Sequence, residues 1–301
     1  MKIAVVGLGR MGMQIARKLS EDGHQVIAHD RSPEPIQEAV GHGAKAAATR
    51  EDIIAAFGSD QVVLWIMIPS DVVEAEFDAW LKLVPKGSVL VDGGNSDFRL
   101  TQKRAEKAAA AGSSWIDVGT SGGVWGYQNG FSMMVGGDKP GVAAIEPILK
   151  TMAKPEGAYF HFGPSGSGHY VKMVHNAAEY GMMESLAEGY RMLKDGAFKD
   201  QLDLAAAGDV WQHHSVVTSW LNELCQSALA ENPTLEGIEG FVAESGEARW
   251  TLETAKELNI DLPAIQSAFD VRVASQKGEI NFATKLLAAM RNKFGGHELN
   301  K

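Results

Sequence analysis

The first thirty residues narrow the fold more than any other stretch. An apolar run, Lys2–Val6, leads into Gly7-Leu8-Gly9-Arg10-Met11-Gly12, and an amphipathic stretch follows to about residue 22. Strand, glycine turn and helix in that order suit a dinucleotide pyrophosphate. Gly7 makes the turn, Gly9 admits the pyrophosphate to the amides at the helix start, and Gly12 lets helix and strand pack closely. A second strand over 25–29 ends in Asp30, at the spacing where a carboxylate meets the adenosine ribose. Asp30 repels a 2′-phosphate and points to NAD, with NADP the weaker alternative. Its neighbours Arg31 and Ser32 leave that alternative open, because an Arg beside the acid can accommodate a phosphate.

Strands then alternate with helical patterns, as a doubly wound sheet requires. Apolar strands over 61–68 and 88–91 run into Met67-Ile68-Pro69 and Asp92-Gly93-Gly94-Asn95-Ser96, with helical patterns over 71–83 and 98–111. Ligands of open parallel sheets bind outside the carboxyl ends of the strands, so Met67, Ile68, Pro69 and Asn95 are candidate cofactor walls. A strand over 115–118 is followed by Gly119-Thr120-Ser121-Gly122-Gly123, which reads either as a carboxylate-holding loop or as a plain turn. A last strand covers 158–162. Beyond it the pattern is helical, over 168–195, 202–212, 215–231, 247–259, 262–276 and 282–293. The expected fold is α/β, with a doubly wound Rossmann domain over 1–163 followed by an all-helical domain over 164–301 that binds substrate and dimerises.

Composition excludes several classes. A chain of 301 residues is long enough for about two domains, and its formal net charge of −10 argues against a nucleic-acid or anionic-membrane partner. An anionic substrate then needs a local cluster of cations, for which Arg249, Arg272, Arg291 and the late His297 are candidates. The single cysteine, Cys225, cannot form an intrachain disulfide, and no Cys/His spacing suggests zinc, so no metal is expected. No apolar run approaches the roughly 18 residues of a membrane span, and the N-terminus lacks a signal-peptide pattern. A soluble, cytoplasmic protein is expected.

The other informative stretch is Gly166-Ser-Gly-His-Tyr-Val-Lys-Met-Val-His-Asn-Ala-Ala-Glu-Tyr-Gly181. At about 100° per residue, Lys172, Asn176, Glu179 and Met183 share one helical stripe, flanked by His175 and Tyr180. The opposite face, Val174, Ala177, Ala178 and Gly181, is small enough for close packing, which would turn the polar stripe toward a cleft.

Four motifs carry a resemblance. Lys172-Met173-Val174-His175-Asn176 with Glu179-Tyr180-Gly181, Asp92-Gly93-Gly94-Asn95-Ser96, Ser121-Gly122-Gly123, and Arg291-x-x-Phe294-Gly295-x-His297 stand in the order seen in decarboxylating 6-phosphogluconate dehydrogenases. The chain resembles the short form of that family over essentially its whole length. The wider β-hydroxyacid dehydrogenase superfamily usually carries Lys-x-x-Asn-Asn where this chain has His175-Asn176. The resemblance implies Lys172 as general base and Glu179 as the acid that protonates C1 after carbon dioxide leaves. It implies carboxylate and hydroxyl contacts from Asn95, Ser121, Gly122, Gly123, His175 and Asn176, and phosphate-end contacts from Tyr180, Arg272, Arg291 and His297. It also implies a homodimer or homotetramer in which the C-terminal tail reaches the partner's active site. The chain departs from the family in carrying Arg249 where many members have Lys, and Asp30 where NADP-using members commonly have Asn. Two rival readings are a 3-hydroxyisobutyrate-type dehydrogenase, which has no phosphate to bind, and a non-catalytic nucleotide-sensing module.

Overall fold

The expected alternation of strand and helix is present in the structure, a computed structural model that describes residues 1–296. Its elements begin with β1 Lys2–Val6, α1 Arg10–Glu21, β2 Gln25–His29, α2 Pro33–Gly41 and β3 Lys45–Ala46. Next come α3 Arg50–Phe57, β4 Val63–Ile66, α4 Val73–Leu81, β5 Val89–Asp92 and α5 Phe98–Ala110. The sheet is completed by β6 Ser114–Ser121, α6 Gly126–Asn129, β7 Ser132–Gly136, α7 Lys139–Ala153 and β8 Tyr159–Gly163. Helices follow: α8 Ser167–Asp195, α9 Leu204–Gln212, α10 Trp220–Glu231, α11 Glu247–Glu257, α12 Pro263–Ser275 and α13 Phe282–Gly295.

The eight strands form one sheet in the order β3-β2-β1-β4-β5-β6-β7-β8. All pairs are parallel except β6 with β7. Alternate residues of each strand feed opposite faces, as the pleat dictates. Ile3, Val5, Val63, Trp65 and Val91 meet α1 and α7 residues such as Ile15, Leu19, Ile148 and Met152 on one side. Ala4, Val6, Leu64, Ile66 and Leu90 meet Ile53, Phe57, Phe77 and Trp80 of α3 and α4 on the other. Burial on both faces explains why the central strands read as unbroken apolar runs.

One expectation is corrected here. Gly119-Thr120-Ser121 is not a loop but the last part of β6, paired with Met134, Met133 and Ser132 of the antiparallel β7. Glycine and hydroxyl side chains look like turn chemistry in one dimension, whereas the neighbouring strand supplies their hydrogen bonds. Strands β3 and β7 and helices α2, α3, α6 and α7 had no counterpart in the sequence reading.

By its contacts the chain divides into two compact units, Met1–Met173 and residues 174 onward. The sequence reading ends its first domain at 163, where β8 ends, whereas the first unit also keeps the opening turns of α8. The reason is that these turns lie directly on the sheet. A Cβ at Gly168 would stand 2.4 Å from the Met134 carbonyl oxygen, and one at Gly119 would stand 2.3 Å from Cβ of Lys172. Only glycine permits that approach. Asp117, fully buried on β6, accepts the backbone N–H of Gly166 at 2.7 Å and of His169 at 2.9 Å, satisfying donors at the start of α8. The second unit has its own core, in which Met183, Ala187 and Tyr190 of α8 meet Leu224, Leu229, Leu286 and Leu287.

Asp117→Ala leaves two buried amides without an acceptor and is expected to lower stability by about 1–3 kcal/mol. Urea denaturation measures it, and a midpoint indistinguishable from wild type would show that Asp117 does not hold the helix start.

Candidate active site

The glycine turn has the geometry the motif requires. Gly7 adopts φ +88°, and a Cβ there would lie 2.4 Å from the Met67 carbonyl oxygen. At Gly12 a Cβ would stand 2.0 Å from the Gly7 carbonyl oxygen. Gly9 caps α1, and its would-be Cβ has nothing within 4 Å, so the approach to the helix start is open to an anion. A pocket of about 500 Å³ beside it is lined by Leu8, Gly9, Arg10, Gln14, His42 and Tyr127, among others. Met11 is half-buried on the same first turn.

Asp30 stands at the end of β2, as expected, but with an additional task. Its Oδ2 accepts the Leu8 N–H at 2.7 Å and its Oδ1 accepts the Ser32 N–H at 3.0 Å. The carboxylate therefore ties the glycine turn to the second strand and is held in a fixed orientation, with lone pairs remaining on both oxygens for ribose hydroxyls. Arg31 is exposed beside it. An open glycine cradle, a helix start and an oriented carboxylate fit a nicotinamide dinucleotide.

The carboxyl ends of the neighbouring strands carry the remaining candidates of this unit. Met67, Ile68 and Pro69 follow β4. After β5, the buried Asp92 shapes the next turn by accepting the Gly94 N–H at 3.2 Å and the Ser96 hydroxyl at 2.8 Å, with the Arg104 guanidinium 3.8 Å away. Asn95 is exposed at the tip of that turn. Ser121 ends β6, and Gly122 and Gly123 continue with φ +131° and +53°. Lys172 is 7% exposed, its stem lying over Gly119.

The second unit gathers the other candidates around α8. His175 Nδ1 lies 3.0 Å from Asn176 Oδ1, and Asn176 Nδ2 donates to Glu247 Oε1 at 2.8 Å. Arg272 is 2% exposed, its guanidinium 3.2 Å from the centre of the Tyr180 ring and its Nη2 donating to Met183 Sδ at 3.4 Å. Arg291 is 8% exposed. Neither guanidinium has a carboxylate ion-pair partner among the described residues. Burial lowers both pKa values, that of Arg272 to about 10, with Arg291 adding to the repulsion and Tyr180 and Glu179 opposing it. Two buried cations in mutual repulsion call for an anion. Glu184, one turn beyond Tyr180, is a buried carboxyl with one oxygen lacking a hydrogen-bond partner among the described residues, and burial raises its pKa to about 7.

Three expectations need amending. The small-residue face of α8 is packed only in part: Ala177 is fully buried, but Val174 is 39% exposed, Ala178 is exposed and Gly181 has open space, while Met183 from the polar stripe is fully buried. Asn176 and Met183 of the stripe meet Glu247 and Arg272, which the helical wheel does not show. Arg249 is exposed and paired with Glu244, its Nε donating at 3.2 Å, so it does not join the buried cations. Arg291 is buried in its own chain within electrostatic range of Tyr180 and Glu179, at odds with its expected reach into a partner. His297 lies outside the described residues. Glu247, Glu184 and Asp117 were missed, since single carboxylates in helical or strand patterns carry no sequence signal of burial.

A glycine-turn dinucleotide domain followed by a helical unit, with a lysine on the helix that begins on the sheet, defines a two-part nicotinamide-dependent oxidoreductase fold. Residues 2–163 match the family model described as the NAD binding domain of 6-phosphogluconate dehydrogenase, and residues 168–301 match that of the 6-phosphogluconate dehydrogenase C-terminal domain. The chain is 36% identical over 301 residues to the NAD(+)-dependent, decarboxylating 6-phosphogluconate dehydrogenase of Haloferax volcanii, with 99% of this chain and 98% of that one covered. It is 30% identical to the NADP(+)-dependent, decarboxylating enzyme of Bacillus subtilis, covering 95% of this chain and 64% of the relative. A solved Plasmodium falciparum 6-phosphogluconate dehydrogenase superposes with a TM-score of 0.82 at 24% identity, over 96% of this chain and 70% of that one. The chain belongs to the 6-phosphogluconate dehydrogenase family.

Glu184 yields a test of the buried cluster. Its folded pKa lies above the unfolded value near 4.3, so the folded state holds the extra proton between about pH 4.5 and 7. Stability is therefore lost as pH rises through that window. Glu184→Gln removes the titration: the variant should match wild type at pH 4.5 and exceed it by about 2–3 kcal/mol at pH 8. Urea denaturation at both pH values measures this, and a pH-independent difference would contradict the burial of an unpaired carboxyl.

Proposed function

We propose that the protein oxidises and decarboxylates 6-phosphogluconate to ribulose 5-phosphate and carbon dioxide, with NAD as the preferred hydride acceptor. The observation that carries the reading is the pair of buried guanidiniums, Arg272 beside Tyr180 and Arg291, neither ion-paired with a carboxylate among the described residues. Apolar burial alone would disfavour such a pair, and a phosphate dianion supplies the missing charge in a form that guanidinium forks match. The family match and the names of its full-length relatives support the same substrate.

When bound at the glycine turn, the dinucleotide would supply the acceptor for the hydride leaving C3 of the substrate. Lys172 is the base that removes the C3 hydroxyl proton, and as an ammonium it then polarises the 3-keto oxygen while the carboxylate leaves as carbon dioxide. A β-keto acid loses carbon dioxide readily once a cation stabilises the enolate, so these residues suffice for the step. Glu179, seven positions further along the same helix, protonates C1 of the resulting enediol. Asn95, Ser121, Gly122, Gly123, His175 and Asn176 hold the carboxylate and hydroxyls, and Tyr180, Arg272 and Arg291 hold the phosphate. Exposed apolar side chains on the helical unit, such as Met192 at 70% and Val210 at 69%, support a homodimer or homotetramer in which subunits cover them.

Arg272→Met is expected to keep the fold, because an apolar chain of similar length replaces a desolvated charge. It should raise KM for 6-phosphogluconate at least tenfold while leaving KM for the coenzyme within about twofold. Coenzyme absorbance followed with 6-phosphogluconate, gluconate and 3-hydroxyisobutyrate makes the test. Turnover of 3-hydroxyisobutyrate unaffected by Arg272→Met would overturn the phosphate reading.

The preference for NAD rests on Asp30, whose fixed carboxylate confronts a 2′-phosphate as a like charge. That repulsion of about 1–3 kcal/mol predicts at least a tenfold higher kcat/KM with NAD than with NADP. Equal or better use of NADP by the native enzyme would reverse the assignment.

A further inference from the structure

Asn176 has two chemically different ends, and the structure commits both of them. Its Nδ2 donates to Glu247 Oε1 at 2.8 Å, and its Oδ1 lies 3.0 Å from His175 Nδ1. An amide oxygen only accepts, so the hydrogen of the second contact belongs to His175 Nδ1. Rotating the amide by half a turn would set its oxygen against the Glu247 carboxylate and its NH2 against His175. Glu247 therefore decides which way the amide stands, and the amide decides which imidazole nitrogen carries hydrogen.

Glu247 is an unusual residue for an ordinary helix-start role. It is the first residue of α11, after Gly246 with φ +96°, a place where a glutamate commonly sits in solvent and complements the helix dipole. Here it is 2% exposed, and its second oxygen has no hydrogen-bond partner among the described residues. A carboxylate sunk to that depth is costly unless what it holds matters. What it holds is Asn176, on the helix of the proposed catalytic groups.

We propose that Glu247 is a positioning residue that locks the Asn176 amide and thereby holds His175 in the form that donates from Nδ1, which sets the imidazole's orientation toward a substrate. The substrate part of this inference rests on the function proposed above. The hydrogen-bond relay itself does not, and it is measured without substrate.

The test is the imidazole ¹⁵N spectrum of His175 in the unliganded protein, assigned with a His175→Gln variant, together with kinetics. The wild type should show hydrogen on Nδ1. Glu247→Ala should shift His175 toward the Nε2-protonated tautomer and lower kcat roughly 10- to 100-fold, the range seen for outer-shell partners of a site, with coenzyme KM unchanged. Glu247→Gln keeps an acceptor oxygen and should restore the Nδ1–H form, which separates positioning from a folding defect. In an Asn176→Ala background, Glu247→Ala should cost less than about twofold more, because its route to His175 through the amide is gone. A His175 tautomer unmoved by Glu247→Ala, or a full additive loss in the double variant, would overturn the proposal. A tautomer shift in a protein that does not turn over 6-phosphogluconate would sustain the relay and remove the substrate reading instead.

Discussion

The close seating of the first turns of α8 on β6 and β7 is the contact on which the proposed chemistry depends. Helices normally stand about 10 Å from a sheet because side chains intervene. Here Gly119, Gly136 and Gly168 remove those side chains, and a Cβ at Gly136 would come 2.6 Å from the Gly168 nitrogen. Backbone then meets backbone, and the buried Asp117 ties the helix amides to the strand beneath them. The stem of Lys172 is set down on Gly119 rather than extended into solvent. A flexible four-carbon chain becomes a directed one, which is what a base must be if its nitrogen is to meet one particular hydroxyl.

Beyond those turns α8 carries polar groups whose partners come from other helices. The relay His175–Asn176–Glu247 ends on a buried carboxylate, the stack of Arg272 on Tyr180 is buried, and both join α8 to residues far along the chain. Polar burial of this kind is weak as a source of stability. Its benefit is definition: Asn176 is held from both ends and Arg272 by a ring face and a thioether, so these charges and lone pairs are oriented in advance. The acidic net charge of the chain conceals this, because the cations that matter are inside and few.

How much of this the sequence discloses varies with the kind of residue. The glycine turn was legible because Gly7, Gly9 and Gly12 act through local backbone geometry, and the strands were legible because burial on both faces leaves an apolar run. Gly119-Thr120-Ser121 was misread because its partner strand, β7, lies eleven residues later and has no pattern of its own. The spacing of the polar stripe of α8 is visible in the sequence, but the partners of Asn176 and Met183 are not, since Glu247 and Arg272 are distant in sequence. Arg249 and Arg291 look alike as isolated basic residues, yet among the described residues only Arg249 forms an ion pair with a carboxylate. Charges acquire meaning from neighbours, and neighbours are what a linear reading lacks.

Asp30 bears on how such a protein can change over generations. Because its two oxygens accept the Leu8 and Ser32 amides, the residue that would discriminate between coenzymes also closes the turn that binds either of them. A drift toward the other coenzyme that began at Asp30 would pass through chains with a loosened glycine turn, whatever their new preference. The open mutational path runs instead through the exposed Arg31 and its flanks, where side chains can be exchanged without untying the backbone. At this position a change of side chain is a change in coenzyme contacts and in the turn's own closure at once.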